Sequence, residues 1–142
     1  CQTRIKKEGL RDENGLQSYF MRRVADYLRA NGRRLIGWDE IIDGGLPEGA
    51  TVMSWRGMAG GIAAARLGLA DIMCPTSHCY FDYAQGLTGE PPAIPFQFLP
   101  LCRVYSLEPV PHFLTPAQAQ RIIGVQSNLW TEYVPDARTP NT

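Results

Sequence analysis

Four short apolar runs, each bounded by glycine, proline or charge, most limit how this chain folds. They occupy residues 33–38, 51–55, 70–74 and 122–128 and read as strands. The predicted order of elements is helix, strand, strand, helix, strand, long loop, helix, strand. Such alternation indicates an α/β fold with parallel strands joined by crossovers. Four strands of this kind fit a small open sheet or half of an eight-stranded barrel, and no internal repeat is visible.

The clearest helix covers residues 16–31. Leu16, Tyr19, Phe20, Val24, Tyr27 and Leu28 fall on one face, and Arg22, Arg23, Asp26 and Arg29 fall on the other. Gly32 follows as a C-terminal cap. Residues 1–14 are polar and read as a loop or the tail of a helix. Residues 39–50 hold Gly44-Gly45 and Pro47, leaving room for one helical turn. Residues 56–61 are a glycine-rich loop, and residues 60–67 form a small-residue helix suited to close packing on a sheet. From Pro75 to Thr115 no regular element is predicted, because Pro91, Pro92, Pro95, Pro100, Pro109 and Pro111 oppose long helices and central strands. The aromatics there (Tyr80, Phe81, Tyr83, Phe96, Phe98, Tyr105) predict a packed loop rather than disorder. Thr115-Pro116-Ala117-Gln118 carries a capping box and a first-position proline, so a short helix starts there.

Fourteen basic residues balance fourteen acidic ones, so no net field draws the chain to nucleic acid or an anionic membrane. No apolar run approaches a membrane span, and the chain as given is expected to be soluble. Cys1, Cys74, Cys79 and Cys102 show no metal-ligand spacing. Cys74 reads as a small buried thiol, and spacing gives no support to a Cys79–Cys102 disulfide. Residues 57–61 lack the Lys-Ser/Thr of a phosphate loop. No metal or cofactor is expected.

Chemistry points first to Asp39 and Glu40, adjacent carboxylates after Gly37-Trp38, as an acid/base pair. The tryptophans suggest otherwise. Trp38, Trp55 and Trp130, all that the chain has, fall at or just after the ends of predicted strands, each followed closely by a polar residue: Asp39, Arg56, Glu132. In a parallel α/β protein those ends converge on one face. Three indoles there would wall a cup for a sugar ring, whose C–H faces stack on aromatics and whose hydroxyls bond carboxylates. A single such tryptophan would more simply fill core; three in series favour the cup.

Gly37-Trp38-Asp39-Glu40-Ile41, Ser54-Trp55-Arg56-Gly57, Tyr80-Phe81-Asp82 and Asn128-Leu129-Trp130-Thr131-Glu132 resemble, in order and interval, the later motifs of the β-N-acetylhexosaminidases, glycoside hydrolase family 20. The resemblance implies that residues 1–142 are part of that family's catalytic domain, the second half (about strands 5–8) of a TIM (β/α)8 barrel. It implies a parent enzyme that removes terminal N-acetylhexosamines with retention, the substrate's acetamido oxygen serving as nucleophile. On that resemblance Trp38, Trp55 and Trp130 wall the sugar pocket, Tyr80 donates its hydroxyl to the acetamido carbonyl, and Asp82 and Glu132 accept from ring hydroxyls. Asp39 and Glu40 then shape a loop. Read from the residues alone, His78 is close enough to Tyr80 in sequence to line the site, though a loop histidine is more often a bystander, and His112 has no evident partner. The ligands implied are N-acetylhexosamine-containing glycans, and the parent's implied compartment is secreted, periplasmic or lysosomal.

The family's His-x-Gly-Gly-Asp-Glu motif, which holds the general acid, does not occur in this sequence. Asp12-Glu13 lacks the Gly-Gly lead and precedes a helix. The chain alone is therefore expected to be inactive and, with open sheet edges, to self-associate. A non-catalytic sugar-binding module and a structural open-sheet domain remain alternatives.

Overall fold

In the computed structural model, residues 1–45, 47–86, 88 and 93–133 are described. Pro91 and Pro92 lie outside them. The strands are β1 (Ile36–Trp38), β2 (Thr51–Ser54), β3 (Ala70–Met73) and β4 (Ile122–Val125). They form one parallel sheet in the order β1-β2-β3-β4, with Gly37 opposite Val52 and Val52 opposite Asp71. The ladder slips once, between Asp71 and Ile72, where β4 joins. Each strand is shorter than predicted, but all four are where the apolar runs placed them.

Helix α1 (Gln2–Lys7) and helix α2 (Glu13–Ala30) precede β1. Residues 1–14, read as a loop or a helix tail, thus contain a helix of their own. Helix α2 starts before residue 16 because the Asp12 carboxylate accepts the Gly15 N–H at 2.9 Å and caps it. The predicted apolar face is also rotated. Met21, Val24, Ala25 and Leu28 meet the core, whereas Phe20 and Tyr27 are exposed. Tyr19 serves α1 instead: its hydroxyl accepts from Arg4 at 2.6 Å and from Arg23 at 3.1 Å. Small residues explain the rotation, since a Cβ on Gly44 would lie 2.2 Å from both the Asn14 carbonyl oxygen and Ser18 Oγ. The chain after β1 therefore runs directly against α2 on its Ser18 side.

Alternation along the strands divides the core between two faces. On one, Leu35, Ala50 and Val52 pack with Ala25 of α2, Ile41 and Ala64. Ala64 belongs to α3 (Ala59–Arg66). On the other, Cys74, Cys79 and Tyr80 gather Trp38, Met53, Trp55, Tyr83 and Leu107.

The stretch from Pro75 to Thr115 corrects the prediction, for it contains α4 (Thr76–Cys79) and α5 (Leu101–Tyr105). Pro75 and Pro100 are the residues capping their N-termini, where a proline initiates a helix rather than breaking it. Helix α6 (Pro116–Ala119) has its capping box as predicted. All four cysteines are free thiols: Cys79 is buried and Cys102 exposed, so no Cys79–Cys102 bridge forms, and Cys74 is buried as expected. No helix among the described residues is long and apolar enough to cross a membrane.

One carboxyl sits within the packing layer. Asp71 of β3 is fully buried under α3; Ser54 Oγ donates to its Oδ1 at 2.5 Å, and its Oδ2 has no hydrogen-bond partner among the described residues. A Cβ on Gly61 would lie 2.4 Å from that oxygen, so only glycine lets α3 approach so closely. Burial pushes the Asp71 carboxyl up to about 6, and the Asp39 charge adds to the rise. A carboxyl raised in the folded state stabilises fully below its unfolded value of about 4 and loses that contribution as pH climbs through about 6. Asp71→Asn, which cannot ionise, is expected to escape a loss of about 2–3 kcal/mol between pH 4 and pH 8. Urea denaturation of both proteins at the two pH values checks this, and parallel pH dependences would contradict it.

Candidate functional site

The carboxyl ends of the strands deliver the aromatics. Trp38 is the last residue of β1, and Trp55 directly follows β2. Tyr80 and Trp130 arrive together because a parallel bridge pairs Tyr80 with Asn128 beyond the end of β4. In that bridge Asn128 N–H donates to the Cys79 carbonyl at 2.7 Å, and Phe81 N–H donates to the Asn128 carbonyl at 2.8 Å. The rings of Trp38 and Trp130 lie 6.1 Å apart and tilted, and those of Trp55 and Tyr80 lie 6.4 Å apart. A cavity of about 280 Å³ opens among Trp38, Glu40, Trp55, Tyr80 and Trp130.

Tyr80 is nearly buried, and burial pushes its hydroxyl up to about 12, opposed by a side-chain hydrogen bond with Trp130. The phenol stays protonated at neutral pH and is available as a donor. Asp82 and Glu132 do not line this cavity. Asp82 is only 3% exposed, and neither of its carboxylate oxygens finds a hydrogen-bonding side chain among the described residues. Burial raises its carboxyl, and the Glu132 charge adds to the rise, which places the two acids within electrostatic range. Glu132 itself is exposed, in the short 3-10 turn Thr131–Tyr133.

The Asp39-Glu40 pair has a different geometry from an acid/base couple. Both lie in the 3-10 turn Asp39–Ile42 that ends β1. Asp39, 1% exposed, accepts from Arg56 Nε at 2.8 Å. Burial raises the Asp39 carboxyl and the Arg56 guanidinium opposes that rise. Glu40 Oε1 accepts the indole N–H of Trp55 at 2.9 Å, while its buried Oε2 has no hydrogen-bond partner among the described residues. Asp39 thus holds the loop, but Glu40 also lines the cavity, which reading it as a loop former overlooks. The available signal was chemical: a half-buried indole N–H needs an acceptor, and a carboxylate at a neighbouring strand end supplies one.

His78 does not line the cavity; its Nδ1 meets Ser77 Oγ at 2.8 Å, and burial lowers its ring below the ordinary histidine range. His112 packs edge-on to Phe113. Among the described residues, no cluster of three or more His, Cys, Asp or Glu could hold a metal ion.

These features define an α/β protein with an aromatic-walled site at the carboxyl ends of parallel strands, the position at which α/β proteins carry their ligands. Residues 1–142 match the model of the glycosyl hydrolase family 20 catalytic domain. The chain belongs to that family. It is 48% identical over 136 residues to a beta-hexosaminidase of Porphyromonas gingivalis, covering 94% of this chain and 17% of that protein. It is 34% identical over 139 residues to a beta-hexosaminidase of Vibrio furnissii, covering 94% of this chain and 22% of that protein. The crystal structure of a GH20 exo beta-N-acetylglucosaminidase from Vibrio harveyi in complex with N-acetylglucosamine superposes with a TM-score of 0.82 at 29% identity, covering 96% of this chain and 22% of that one. The chain thus spans about a fifth of the length of these relatives.

Replacing Arg56 leaves Asp39 buried without its cation, the costly half of breaking an ion pair. Arg56→Ala is expected to lower the stability of the fold at pH 7, by less than the loss of a fully buried pair because the guanidinium is part-exposed and also reaches the exposed Asp43. Chemical denaturation gives the value, and an unchanged midpoint would remove Asp39–Arg56 from the structural argument.

Proposed function

We propose that this chain is the second half, about strands 5–8, of a (β/α)8 barrel. The parent is then a retaining exo-β-N-acetylhexosaminidase acting by substrate-assisted catalysis on glycans ending in N-acetylglucosamine or N-acetylgalactosamine. The observation that carries the reading is the cavity lined by Trp38, Trp55, Tyr80 and Trp130 at the strand ends. Aromatic walls suit the apolar faces of a sugar and the methyl of its acetamido group. A protonated Tyr80 suits an acetamido carbonyl, and orienting that group brings its oxygen to the anomeric carbon as an internal nucleophile, an arrangement that supplies much of a barrier reduction. Asp82 and Glu132 are the acceptors for ring hydroxyls; a sugar hydroxyl would give the buried Asp82 oxygens the donor that no described side chain supplies.

The general acid lies outside these 142 residues, since the sequence holds no His-x-Gly-Gly-Asp-Glu motif. The chain by itself therefore binds part of a sugar without cleaving its bond. With 4-nitrophenyl N-acetyl-β-glucosaminide the full-length protein is expected to release nitrophenol and the isolated chain to release none. Robust turnover by the isolated chain would sink the assignment of the acid.

Exposed apolar side chains at both ends of the sheet, Ile36 on β1 and Ile123 and Val125 on β4, favour pairing of two isolated halves. Sedimentation of the isolated chain is expected to show dimers or larger species. A stable monomer at high concentration would contradict this.

A further inference from the structure

We propose that Glu40 is a positioning residue that fixes the Trp55 indole as a wall of the cavity, an inference that rests on the hexosaminidase reading. Two adjacent residues leaving β1 hold two adjacent residues leaving β2. Asp39 takes the Arg56 guanidinium at 2.8 Å, and Glu40 takes the Trp55 N–H at 2.9 Å. The first contact places the backbone of the loop; the second selects one orientation of the ring. An indole can turn about two side-chain torsions, and packing against Tyr80 at 6.4 Å leaves its in-plane direction open. A directed hydrogen bond from Nε1 fixes it.

The turn bearing Glu40 is itself braced. Ile41 folds back so closely on its own strand that a Cβ on Gly37 would lie 3.0 Å from Ile41 Cδ1. The Glu40 backbone therefore starts from a fixed point. Its second oxygen is buried with no hydrogen-bond partner among the described residues, an arrangement that costs stability. A residue kept for packing alone would carry no half-satisfied carboxylate, whereas one kept to aim a ring needs an acceptor there.

The wall it aims belongs to the cavity that would hold the reacting group, so misorientation affects the geometry of reaction more than the overall affinity. The experiment compares wild type, Glu40→Leu and Glu40→Gln in the full-length protein. It reads kcat and KM on 4-nitrophenyl N-acetyl-β-glucosaminide, the indole fine structure in near-ultraviolet circular dichroism, and Tm. Leucine keeps the volume and removes the acceptor; glutamine keeps a carbonyl that can accept the Trp55 N–H. Glu40→Leu is expected to lower kcat about tenfold or more with KM within about threefold, to change the indole bands, and to leave Tm nearly unchanged. Glu40→Gln is expected to restore the indole bands and most of kcat.

Wild-type kcat and indole bands in Glu40→Leu would overturn the inference. So would equal losses in both variants that track a fall in Tm, which is the mark of a purely structural role. If the wild-type protein does not cleave the substrate, the hexosaminidase reading fails by itself. The indole bands of the two variants then still decide whether Glu40 sets the ring.

Discussion

Everything at the site depends on four short strands pairing in parallel and in chain order. Parallel pairing sends every strand end to the same side, so Trp38 and Trp55 arrive as neighbours although 17 residues separate the partners in Asp39–Arg56. An antiparallel pairing of the same runs would place alternate tryptophans at opposite ends. Strands of three or four residues carry few ladder bonds, so the sheet relies on its two faces to hold register. The register shift at Asp71/Ile72 lies on the ladder between β3 and β4.

Carboxylates show how the fold divides its polar groups. Asp12 caps α2, and Asp39 holds Arg56. Asp71 lies under α3 with Ser54 as its one side-chain hydrogen-bond partner among the described residues, so its burial costs stability without contributing a site contact. Asp82 is equally buried but lies within electrostatic range of Glu132. Place in the fold separates them: Asp71 packs under α3 against Gly61, and Asp82 follows Tyr80 near the strand ends.

The strands were legible in the sequence because apolar runs bounded by glycine and proline have few alternatives, and the capping box at Thr115 reads directly as a helix start. The tryptophan cup was legible once those strands were assumed parallel. Helix α5 was not, because Pro100 reads as a breaker until one knows that it stands just before the first turn. The buried face of α2 was misread for a related reason. Large aromatics at Phe20 and Tyr27 outweigh small residues in any apolar pattern, yet Ser18 and Ala25 are what permit close approach. Asp39 and Glu40 were read together, first as an acid/base pair and then as loop formers, whereas a turn sends adjacent side chains to different partners.

That last point bears on how such a site is built. Each wall comes from a different strand end, and none of the four aromatics is placed by its neighbours in sequence alone. The Tyr80–Asn128 bridge ties the ends of β3 and β4, while the contacts of Asp39 and Glu40 tie the ends of β1 and β2. The two pairs meet through the β2–β3 ladder, continued past the strand ends by Cys74 N–H to the Ser54 carbonyl and Thr76 N–H to the Trp55 carbonyl, both at 3.0 Å, and the rings add Trp38 on Trp130 and Trp55 on Tyr80. The aromatics therefore line the cavity and also reinforce a joint that the backbone already makes. A change that tilts one ring must also shift the pair across the cavity, which makes polar contacts behind the rings as important to the shape as the rings in front.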